Sequence, residues 1–89
     1  MINKSINSYL EYLDIVLDNI PKIEDVLIKE LINVSYSLIN SKNILVDIQY
    51  IDYIISYMLN KRYINYNMFL EMGERLGNII KGLKTNNSF

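Results

Sequence analysis

Apolar residues recur at i, i+3, i+4 and i+7 in four successive runs along this chain, and little sequence is left between them. In the first run Ile6, Tyr9, Leu10, Leu13, Val16, Leu17 and Ile20 share a helical face, with Glu11, Asp14 and Asp18 opposite. Asn19-Ile20-Pro21 ends it, because the residue before a proline is pushed out of the helical region. Pro21 is expected in the first turn of the next helix, where its missing N–H costs nothing. Glu24 and Asp25 follow in that turn, at the positive end of the helix dipole. The second run aligns Ile23, Leu27, Leu31, Val34 and Leu38, and Ile28, Ile32 and Ile39 widen the stripe enough to touch two neighbours. Ser41-Lys42-Asn43 is its expected stop.

Asp47 is expected to cap the third helix, with Val46 and Ile51 spaced for a hydrophobic staple. Its inner face is Ile48, Ile51, Ile54, Ile55, Met58 and Leu59, flanked by a stripe of Tyr50, Tyr53 and Tyr57. The fourth run gathers Met68, Phe69, Met72, Leu76, Ile79, Ile80 and Leu83 on one side and Glu71, Glu74, Arg75, Asn78 and Lys81 on the other. Glu71 and Arg75 are placed as an i, i+4 ion pair. The pattern predicts an all-α, antiparallel four-helix bundle in one domain over residues 1–89, with helices near 4–19, 22–41, 47–60 and 66–83 and a frayed tail from about 85. Leu13, Leu31, Ile55 and Leu76 are expected core residues, one from each helix.

Composition narrows the functions open to such a bundle. There is no His and no Cys, which removes the commonest general base, the thiol nucleophile and the usual metal ligands, so no enzyme, metal or cofactor is expected. Net charge is −1, without the basic excess that displaces counterions from nucleic acid. Residues 1–44 hold four lysines against six acids and residues 45–89 five basic residues against four acids, so the C-terminal hairpin is the more cationic. The lack of Cys fits a reducing cytosol, and Glu11 and Asp14 precede any apolar block that could serve as a signal peptide. The charge-free stretch Leu31–Ser41 is well short of the roughly 20 apolar residues of a membrane span. A cytoplasmic protein is expected.

Each candidate site has a structural reading beside the functional one. Glu11, Asp14 and Asp18 form a carboxylate row, but it lies opposite the apolar face and lacks the Glu-x-x-His that completes a metal site in bundles, so it reads as solvated surface. Gly73 and Gly77 form a G-x-x-x-G at the edge of the last apolar face, expected to allow close packing within the monomer, with a dimer contact as the other reading. The tyrosine stripe reads as the edge of the core with hydroxyls in water, or as a binding face. Lys61, Arg62, Tyr63, Arg75, Lys81, Lys84 and Phe89 combine the basic residues of the C-terminal half with aromatics and are the candidate partner-binding residues.

The third helix reads Tyr50-Ile-Asp-Tyr-Ile-Ile-Ser-Tyr-Met-Leu-Asn-Lys61, followed by the aromatic connection Arg62-Tyr-Ile and the closing run Met68-Phe-Leu-Glu-Met-Gly-Glu-Arg-Leu-Gly77, with a basic polar tail ending Ser88-Phe89. On these residues the chain resembles, from Ile20 to Leu83, the immunity proteins of pediocin-like (class IIa) bacteriocins, the enterocin A immunity family. The tail is shorter than is common in that family, and the spacing from Asn60 to Gly77 is compressed. The resemblance implies self-protection of a producer cell. The immunity protein would recognise a membrane sugar-transporter receptor, from the cytosolic side, once bacteriocin has engaged it, with selectivity in the C-terminal half. Two other readings compete: a small phage or mobile-element inhibitor that masks a host protein, and a dimerising helical adaptor. The chain is expected to be a monomer or a weak dimer.

Overall fold

The four apolar runs become four helices in a computed structural model that describes residues 2–20 and 24–86: α1 (Ile2–Asp18), α2 (Val26–Tyr36), α3 (Ile44–Asn60) and α4 (Tyr66–Asn86). A single 3-10 turn, Leu38–Asn40, stands between α2 and α3. The expected faces turn inward. Leu13, Leu31, Ile55 and Leu76 are all buried, together with Ile6, Tyr9, Val16, Ile28, Ile48, Ile51, Met58, Met72 and Ile79. With Ala absent and Ile so frequent, helix propensity alone is mediocre, and burial of these faces is what holds the helices.

Cross-helix contacts give the register. Gly82 of α4 faces Ile2 of α1 while Arg75 reaches Ser8, so these two helices run antiparallel. In the same way Tyr50 of α3 meets Glu30 of α2 and Tyr57 meets Asp25 at the start of that helix. The chain thus forms an all-α four-helix bundle in which α1 packs chiefly on α4, α2 on α3, and α3 on α4.

The helix boundaries around α2 and α3 differ from those expected. The second helix starts at Val26 instead of 22, because Asp25 holds extended backbone (φ −69°, ψ 129°) and its side chain caps the Leu27 N–H. It stops at Tyr36 instead of 41: the Ser37 hydroxyl donates to the Val34 carbonyl, and the chain tightens into the 3-10 turn. That turn keeps Leu38 buried but rotates Ile39 outward, 48% exposed, so Ile39 does not widen the core stripe. The cap of α3 is Asn43, whose side chain accepts from Val46 N–H, and the helix begins at Ile44. Asp47 sits in the first turn and accepts the Ser41 hydroxyl, and Val46 is 54% exposed, so the expected staple does not form. At the far end α4 continues to Asn86, three residues past the expected 83. The expectations for Pro21, Ile23 and Phe89 lie outside the described residues.

One polar pair is fully inside. The Tyr9 hydroxyl and the Ser35 hydroxyl are 2.8 Å apart, both residues have no exposure, and the bond joins α1 to α2. Burial pushes the Tyr9 phenol far above its ordinary range. No buried side-chain nitrogen or oxygen among the described residues lacks a partner.

Candidate functional site

Of the candidate binding residues, Lys61, Arg62 and Tyr63 come together at one end of the bundle. The end of α3 is closed by Tyr63 N–H donating to the Met58 carbonyl and Arg62 N–H donating to the Leu59 carbonyl, the double bond of a Schellman motif. The residue at the turn must be left-handed, and here it is Arg62 with φ 64°, where glycine is usual. The side chain of Ile64 is buried just beyond and anchors the connection. Asn65 then accepts Met68 N–H and starts α4. A shallow concavity of about 460 Å3 beside the turn is lined by Arg62, Tyr63, Ile64, Asn65, Asn19, Leu59 and Met68.

Tyr63 and Lys61 are tied to a hub that sequence reasoning missed. Asp25 Oδ2 accepts the Tyr57 hydroxyl at 2.5 Å and the Tyr63 hydroxyl at 3.2 Å, while Oδ1 caps α2. The rings of Tyr57 and Tyr63 meet edge-to-face with centroids 6.3 Å apart, and the Lys61 ammonium stands 5.7 Å from the Tyr57 centroid. The Tyr57 hydrogen bond, then the Leu27 N–H, hold the Asp25 carboxyl below the usual carboxylate range. The same bond from Asp25 pushes the Tyr57 phenol up to about 12. Asp25 stands directly before an apolar run, which is the signal of a cap, but nothing in the sequence pairs it with two tyrosines.

The tyrosine stripe is therefore more than a wet core edge. Tyr50 and Tyr57 give their hydroxyls to carboxylates of α2 and its cap, and Tyr36 donates to Asp14 at 2.6 Å. Tyr53 stacks on Tyr50 and stays 62% exposed. These bonds use Asp14 from the carboxylate row, and no group of three possible ligands that could hold a metal occurs among the described residues.

The other candidates lie elsewhere. Arg75 sits midway along α4 with its guanidinium bonded to Glu71, to the Ser8 carbonyl and to the Ser8 hydroxyl, over the Tyr12 ring. These bonds make it a clamp between α1 and α4. Lys81 and Lys84 are exposed near the end of α4, most of that 21-residue helix away from Tyr63. Phe89 is outside the described residues.

Gly73 and Gly77 do not pack closely inside the monomer. A Cβ built at either position meets nothing within 4 Å, so the expected compensation for two helix glycines is absent. The chain matches no family model, no curated protein and no solved structure.

Proposed function

We propose that this protein acts by recognising another protein through the Lys61–Arg62–Tyr63 end of the bundle, as an immunity protein against a pediocin-like bacteriocin. The observation that carries recognition is Arg62. A non-glycine residue in the left-handed region costs about 1–2 kcal/mol, and at an exposed turn nothing in the packing requires an arginine side chain. An arginine there, between a lysine and a tyrosine, has the chemistry of an interface anchor for a partner bearing carboxylates. The immunity reading adds the resemblance of Tyr50–Lys61 and Met68–Gly77, and places the partner as a bacteriocin-engaged sugar-transporter receptor met in the cytoplasm.

Expression in a strain sensitive to pediocin-like bacteriocins tests both layers. Protection is expected from the parent chain and loss of protection from Arg62→Gly and Tyr63→Ser, with melting used to confirm that each variant folds. Protection that survives both exchanges moves the site away from this turn, with the exposed Tyr53 as the next surface to alter. No protection by the parent chain against any bacteriocin of the class rejects the immunity role and favours a mobile-element inhibitor of a host protein.

A further inference from the structure

The antiparallel arrangement assembles one end of the bundle from the start of α1, the connection after α2, the start of α3 and the end of α4. That end collects Lys4, Lys42, Lys81 and Lys84, all exposed, from positions scattered over the whole chain. Among the described residues the only carboxylate with them is Asp47, which accepts the Ser41 hydroxyl. Glu11, Glu30, Asp52 and Glu74 lie about two helical turns further along their helices. Among the lysines protrude three aliphatic side chains, Ile39, Leu45 and Val46, 48%, 49% and 54% exposed. Lys42 and Lys84 also line a groove of about 330 Å3 together with Ile44, Leu45, Ile80 and Leu83.

Four ammoniums against one carboxylate select an anionic partner, and the protruding aliphatics select one with an apolar layer beneath its charge. The face carries no arginine, the cation favoured where carboxylates are recognised one by one at protein hot spots; both arginines of the chain lie elsewhere. Lysines suit a surface of many interchangeable phosphates, because their flexible stems can lie along apolar groups while the ammonium reaches the headgroups. No helix among the described residues is long and apolar enough to cross a membrane.

We propose that this end of the bundle docks on an anionic lipid surface, with the four lysines among the headgroup phosphates and Ile39, Leu45 and Val46 entering the headgroup–acyl boundary. The inference stands on the charge distribution and is independent of the immunity reading. The bundle measures 44 Å along its longest axis, so docking by this end directs Lys61, Arg62 and Tyr63 away from the lipid, toward parts of a partner that project from the bilayer.

Sedimentation of the full chain with vesicles tests this, comparing phosphatidylcholine alone with phosphatidylcholine containing about a third phosphatidylglycerol. Partition is expected only into the anionic vesicles and should weaken as salt rises. The double exchange Lys42→Glu/Lys84→Glu is expected to reduce it more than about 20-fold, since each neutralised lysine contributes roughly five-fold. Leu45→Ser/Val46→Ser should also reduce it, and Lys29→Glu, an exposed exchange on α2, should leave the reduction below that of one removed lysine. Melting of each variant confirms folding. No partition at low salt overturns the proposal, as does a loss from Lys29→Glu equal to that from Lys42→Glu alone, which would reduce the effect to net charge. Self-association that Leu45→Ser/Val46→Ser abolishes, without vesicle binding, overturns it in favour of a second copy on this face.

Discussion

The Tyr57 hydroxyl donates to the Asp25 carboxylate, so one side chain both caps α2 and holds α3 against it. The two groups shift in opposite directions through the same bond, which defines a pH window. Asp25 binds its proton less tightly folded than unfolded, so its stabilisation is present above the ordinary carboxylate range and is lost as pH falls through the depressed folded value. Tyr57 binds its proton more tightly folded, so its stabilisation is complete below pH 10.0 and is lost as pH rises toward about 12. The stability difference between the parent chain and Tyr57→Phe should therefore be largest between these limbs and shrink at both extremes. Denaturant titrations across pH check this; a difference that stays constant from acid to alkali contradicts it.

Gly73→Ala and Gly77→Ala should each stabilise the fold by about 0.5–1 kcal/mol, because both sites are helical and a new methyl meets no neighbour. Thermal or urea denaturation reads the effect directly. Destabilisation by either exchange would mean that the helix face they share is closed by a contact the single chain does not contain.

Arg62→Gly should raise stability by roughly 1 kcal/mol, relieving the left-handed strain at the Schellman turn less what glycine adds to the entropy of the unfolded chain. Lower stability would show that the arginine side chain holds the turn, and would remove the main reason for assigning it to a partner.

Leu31→Ala and Ile55→Ala should each cost about 2–5 kcal/mol, whereas Ile39→Ser and Val46→Ser should stay within roughly 0.5 kcal/mol of the parent chain. Melting of the four variants separates the buried pair from the outward pair. Similar losses in all four would mean that the segment from Ile39 to Val46 packs more tightly than its exposure indicates.

The inward faces were legible because a 3.6-residue period leaves one stripe for Leu13, Leu31, Ile55 and Leu76 to fall on, whatever the neighbouring helices. The break between α2 and α3 was not. Ser37, Ser41, Asn43 and Asp47 all carry side chains able to cap, and periodicity cannot say which of them ends a helix and which begins one. Asn43 reads as a stop from the left and serves as a start from the right. The grouping of charges across helices was hidden for a different reason. Comparing the two halves of the sequence hides the lysine-rich end, because Lys4 and Lys84 meet there only once α1 and α4 run antiparallel. Arg75 read as a surface residue paired with Glu71 alone, because Ser8, its second partner, belongs to the other end of the chain.

The buried bond between Tyr9 and Ser35 bears on which bundle forms at all. A core of Ile, Leu and Met tolerates many arrangements of its helices, since one aliphatic surface covers another almost as well as the next. Two hydroxyls change that. Any assembly that slides α1 along α2, or exchanges the partner of either helix, strands a phenol and a serine in hydrocarbon, at about 1–3 kcal/mol for each unmet group. The pair works as a key cut into otherwise interchangeable surfaces: it adds little to how strongly the helices cohere and much to how uniquely they are arranged.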